Sequence, residues 1–176
     1  MPSSLYTAPY IRISCANLFT LSSFGSFFLF PLFVTSVGGS EADIGIVMGA
    51  FALSSVLCRP WISEMIDRIG RKRSCTIGGI IMSILPLTYL FFRGDLNSFY
   101  LYLIIARILH GVGFAIYFTG VFTYISDIVP QKRLNEGLGM FGITGLAGLA
   151  LGPVVAELVI SAFGFSSFFQ IGRAHV

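Results

Sequence analysis

Long apolar runs alternate with short polar connections along almost the whole chain. Five runs stand out: Ser14 to Val37, Ile44 to Ile62, Cys75 to Phe92, Phe99 to Ile125 and Leu138 to Ile160. Each holds about 18 or more residues with few charges, enough as a helix to cross the roughly 30 Å of hydrocarbon in a bilayer. The connections "GGSEAD", "SEMIDRIGRKRS", "RGDLNS" and "DIVPQKRLNEG" carry Gly38, Gly39, Gly94 and Pro130 where turns are needed. Strict period-two alternation, the mark of a membrane barrel, is absent. The pattern predicts an all-α polytopic membrane protein.

Composition agrees, since 55% of the 176 residues are hydrophobic and only 11% charged, too little polar surface to coat a soluble globule. The net charge of +3 is spread over membrane edges and forms no continuous basic face, so nucleic acid is not an expected partner. Cys15, Cys58 and Cys75 have no paired spacing and read as small buried hydrophobes. No metal-ligand spacing, nucleotide-binding glycine loop or nucleophile motif is present, so neither a metal nor a cofactor nor an enzyme activity is expected. The first apolar run is too long for a signal-peptide core and is expected to remain as a helix.

The distribution of cations orients the chain. Arg12, the cluster Arg68, Arg71, Lys72 and Arg73, and Lys132 with Arg133 fall on one side, against Arg93 on the other. The positive-inside rule then predicts a cytoplasmic N-terminus. A topology anchor explains the excess of Lys and Arg, but not the order Asp67-Arg68-Ile69-Gly70-Arg71-Lys72.

That order resembles the major facilitator superfamily of secondary transporters, whose connection between helices two and three reads Gly-x-x-x-Asp-Arg-x-Gly-Arg-Lys/Arg. Ser63 stands here in place of the leading glycine. The resemblance implies that Asp67 faces the positive end of a helix in the other half of the protein, that the arginines hold the connection by ion pairs, and that the whole acts as a latch on one conformational state. Arg107-Ile108-Leu109-His110-Gly111-Val112-Gly113 matches the family's fourth-helix pattern. An unpaired cation in such a run costs about 2.5 to 3.5 kcal/mol on insertion scales, so Arg107 is expected to face the interior or a wet cavity. The resemblance gives it a part in proton relay or in setting the charge of the cavity; bonding to free carbonyls is the structural alternative. His110 reads either as a packed, hydrogen-bonded residue or as a proton carrier.

The fifth run repeats glycine at 137, 139, 142, 145, 148 and 152, a spacing expected to line one helical face for close contact with neighbours. Gly148-x-x-x-Gly152-Pro153 resembles the signature of the exporting, antiporter-like branch, with Gly145 in the same stripe and Pro153 expected to bend the helix. Ala156 and Glu157 replace the signature's final glycines. Glu157 reads either as a proton- or cation-binding carboxylate or as a residue reaching the outer interface.

By this resemblance the chain is the N-terminal helical bundle of a twelve-helix transporter, with five transmembrane helices and the start of a sixth. The expected partners are the lipid bilayer, a small-molecule substrate and the absent C-terminal half, with the proton gradient as coupling ion. Residues 171–176, "IGRAHV", resemble a translated sequencing adapter and are set aside from the fold. Proton-coupled efflux leads, uptake of sugars or metabolites by the same fold is the alternative, and a small membrane protein acting through helix association is the reading of another class.

Overall fold

The computed structural model describes residues 5–92 and 94–163, and all regular structure among them is helical. The first run becomes α1 (Ala8–Ser26), a single 3-10 turn (Phe27–Leu29) and α2 (Phe30–Ser36). Thr7 caps α1, its Oγ1 accepting from the Tyr10 N–H at 3.4 Å. Pro31, in the first turn of α2, has no N–H to continue the helical ladder. The tighter 3-10 turn is the local solution.

Gly38, at φ 86°, turns the chain. α3 (Glu41–Leu57) then opens with a capping box: Ser40 Oγ accepts from the Asp43 N–H at 3.3 Å, and Asp43 Oδ2 accepts from the Ser40 N–H at 2.8 Å. The sequence pattern reads Ile44 to Ile62 as one span, but the helix stops at Leu57. α4 (Arg59–Ile69) leaves it at 50°. Pro60 in the first turn of α4 cannot donate to the preceding turn, which breaks the ladder at Cys58.

The stretch "SEMIDRIGRKRS" has the composition of a loop, yet almost all of it is helix. α4 runs to Ile69 and α5 (Arg71–Thr88, followed by a 3-10 turn at Tyr89–Phe91) starts two residues later. Gly70 alone joins them, at φ 89° and ψ 148°, a backbone conformation open to glycine and strained for other residues. α6 (Leu96–Ile128) and α7 (Leu134–Phe163) follow, separated by a 3-10 turn at Gln131–Arg133; α7 continues as helix through Pro153.

α1 packs along α7, while α6 lies between α5 and α3. Phe19, Trp61 and Phe91, each at least 70% exposed, point outward as residues do when the solvent is lipid. Ala8–Ser36, Leu96–Ile128 and Gln131–Ala162 are long and apolar enough to cross a membrane, and the bent pair α3–α4 is so when its two helices are taken together. α5 carries three basic residues in its first turn, and its apolar length lies along α6 as the expected third span. The chain is a multi-pass membrane protein. The expected entry to a sixth helix and the 171–176 tail lie outside the described residues.

Candidate functional site

The candidate residues fall into three places: the Gly70 corner, the α1–α7 seam and a buried box at Arg107. At the corner, the α4 end and the α5 start bring Asp67, Arg68, Gly70, Arg71 and Lys72 to one end of the bundle. Arg71 forms an ion pair with Asp127 at the far end of α6, which ties the corner to the central helix. Both side chains are over a third exposed, so water screens the pair. Arg68 bonds Glu64 one turn back at 2.6 Å, a fully surface pair. Asp67 and Lys72 are exposed, and among the described residues Asp67 has no ion-pair partner. Arg133 and Glu136 pair across the start of α7 at 2.6 Å.

In the α1–α7 seam the glycines are separators. A Cβ on Gly148 would strike the Leu18 carbonyl and sit 3.0 Å from the Ser22 nitrogen; one on Gly152 would strike the Ser22 carbonyl and sit 2.7 Å from the Ser26 nitrogen. Gly145 meets Leu21 and Asn17, and across the seam a Cβ on Gly25 would lie 2.7 Å from the Leu149 carbonyl. Two polar ties accompany this backbone contact: the Tyr10 hydroxyl donates to the Gly137 carbonyl at 2.8 Å, and Asn17 Nδ2 donates to Thr144 Oγ1 at 3.3 Å. Contrary to what the spacing predicts, the six glycines do not all share this contact. Gly139 and Gly142 face open space, because their positions rotate them away from the 145–148–152 stripe. Glu157 is exposed on α7, one residue past the buried Ala156, and is not brought to Arg107 or His110.

Arg107 and His110, one turn apart on α6, are 1% and 0% exposed. The guanidinium carbon lies 4.8 Å from the ring centre of Phe51, 4.9 Å from Phe30 and 5.7 Å from Phe27. Arg107 Nε donates to the Val47 carbonyl at 3.4 Å, and Nη2 reaches Met48 Sδ at 3.4 Å. His110 meets the Phe27 and Phe51 rings edge-on, and its Nδ1 lies 3.4 Å from the Tyr89 hydroxyl. Gly111 lets α3 come this close, since a side chain there would strike Ser54 and the Phe51 carbonyl. Composition reveals the many phenylalanines, but not that Phe27, Phe30 and Phe51 wall the arginine. The available signal was a lone cation in a span of a protein rich in aromatic residues.

A family model described as Major Facilitator Superfamily matches residues 13–172. The chain is 29% identical over 161 residues to the staphylopine export protein of Staphylococcus aureus, covering 91% of this chain and 39% of that one. It is 29% identical over 144 residues to multidrug resistance protein 2 of Bacillus subtilis, covering 82% and 34%. With the quinolone resistance protein NorA of Staphylococcus aureus it shares 25% over 142 residues, covering 81% and 35%. The chain thus spans under two-fifths of the length of these relatives.

Proposed function

The chain belongs to the major facilitator superfamily, and on that premise we propose that it is the N-terminal part of a transporter that exports small organic molecules across the cytoplasmic membrane. Its N-terminus lies in the cytoplasm, where the positive-inside rule puts the Arg71–Lys72–Arg73 turn. Export proceeds by alternating access against a second half, with protons exchanged for substrate. The observation that carries the export reading is the α1–α7 seam: the Gly148–Gly152–Pro153 stripe, the exporter-like motif, is the surface on which α1 rests. The names of the similar proteins, an export protein and two resistance proteins, support the same direction.

Each candidate residue takes a role within this reading. Exposed Asp67 is free to meet the N-terminal end of a helix in the other half, while Arg71 holds the corner to Asp127, so the corner acts as the latch. Arg107 sets the positive charge of the interior. Glu157, exposed on α7, is a carboxylate available to the missing partner surface for proton exchange.

The test is proton-driven flux. The complete reading frame is expressed in a strain lacking its major pumps, and everted membrane vesicles are energised. Uptake of ethidium into these vesicles that collapses with the pH gradient is the expected result. Flux in the opposite direction, or flux indifferent to the gradient, overturns proton-coupled export.

A further inference from the structure

Among the described residues the bundle interior holds a cation and no anion. Arg107 is the one buried Lys or Arg described, and all eight acidic residues sit at helix ends or on exposed or half-exposed positions. The contacts that do surround the guanidinium are weak for a desolvated charge: three ring faces, one carbonyl at 3.4 Å and one thioether at 3.4 Å. Arg107 Nη1 has no hydrogen-bond partner. Neither does His110 Nε2, although that ring is fully enclosed. Leaving such groups unanswered is costly in a medium that offers no water.

The two orphaned nitrogens belong together. They lie one turn apart on α6 and both side chains rest on the same two rings, Phe27 and Phe51. The Tyr89 hydroxyl stands beside this pair, 3.4 Å from His110 Nδ1. Nδ1 accepts when the tyrosine hydroxyl donates its proton across this contact. The imidazole proton then sits on Nε2, which makes both orphaned atoms donors. A pair of donors, one of them a guanidinium, matches two acceptor oxygens bearing a negative charge.

We propose that Arg107 and His110 form the recognition point for the carboxylate of a small aromatic organic anion carried by the transporter. The aromatic walls suit a flat apolar body attached to that carboxylate. Two of those walls, Phe27 and Phe30, stand at the 3-10 turn that interrupts the first span. Arg107 and His110 are enclosed, so a ligand can reach them only if a wall moves, and this turn, where the helical ladder is already broken, is the wall with the fewest helical bonds to lose. The inference rests on the transport reading and adds to it the class of substrate.

The test compares two dyes in everted vesicles containing the complete protein. Fluorescein carries a carboxylate on an aromatic body, whereas ethidium is a permanent aromatic cation. Wild-type protein is expected to move fluorescein, with benzoate competing. Arg107→Gln is expected to lower kcat/KM for fluorescein relative to ethidium about tenfold or more, mainly through KM; His110→Ala should shift the same ratio about threefold, and Arg107→Lys should restore part of it. Size exclusion in detergent reports whether each variant is assembled. If Arg107→Gln does not assemble, the competition constant of benzoate in Arg107→Lys and His110→Ala decides, with weakening expected in both. Equal losses for the two dyes overturn the inference and leave Arg107 as a structural residue or the partner of an acid in the other half. Proton-driven movement of ethidium, with fluorescein not moved and benzoate without effect, overturns the inference while the export reading stands. No proton-linked flux of either dye overturns the export reading itself.

Discussion

The α1–α7 seam and the Arg107 box face the same difficulty in opposite ways. In lipid, apolar surface gains little by meeting another helix, so association depends on close packing and polar contacts. The seam removes side chains: Gly25, Gly148 and Gly152 let backbone meet backbone, with Tyr10 and Asn17 as the polar ties. The box fills the gap between helices with rings and encloses a cation among them. The seam is therefore sensitive to added side chains and the box to the loss of a ring. One contact is held by shape, the other by volume and charge.

The largest effect is expected from adding bulk to the seam. In Gly152→Leu the new side chain meets backbone atoms of Ser22, Gly25 and Ser26, which cannot swing aside. A loss of about 3 kcal/mol or more is expected, seen as failure to assemble by size exclusion in detergent. Gly142→Ala, which faces open space on the same helix, should leave assembly intact; equal damage from both would mean that the seam is not the contact that matters.

Removal from the box comes next. Phe51 stacks on Phe24 at 5.4 Å, contacts Phe114 at 5.7 Å and covers Arg107. Phe51→Ala is expected to cost about 3 kcal/mol, measured as a fall in the thermal midpoint of the solubilised protein. A shift no larger than that of an exposed control such as Phe19→Ala would break the comparison.

The corner should respond less. Gly70→Ala forces a side chain into φ 89° and ψ 148° without meeting any neighbour, so the penalty is backbone strain alone, about 1 to 3 kcal/mol. Smallest is Asp127→Asn, which breaks a half-exposed ion pair worth about 0 to 1 kcal/mol. Its effect on the thermal midpoint should shrink as salt rises, and a salt-independent change would mean that Asp127 acts through something other than Arg71.

Much of this was legible in the residues. Five apolar runs, their polar connections and the cation asymmetry depend on composition over short windows, and bilayer thickness converts run length directly into spans. The glycine spacing at 145, 148 and 152 likewise marks a helical face before any partner is known. Local reading failed at the connection between the second and third spans. "SEMIDRIGRKRS" is polar enough for a loop, yet its residues continue two helices and leave Gly70 as the sole joint. Polarity there marks an exit from lipid, and helices do not have to end where the lipid does.

Sequence by itself determined the apolar runs, their order and the family, because run length and motif spacing are properties of neighbouring residues. Only the tertiary structure decided the partners. Arg71 finds Asp127, Tyr10 finds Gly137, and Arg107 is enclosed by rings from two other spans. It also excluded Gly139 and Gly142 from a seam that their spacing alone had included. These outcomes turn on how far each helix is rotated about its axis and where it crosses the next. Those angles are settled by packing between segments far apart in the chain, and no short window of residues contains them.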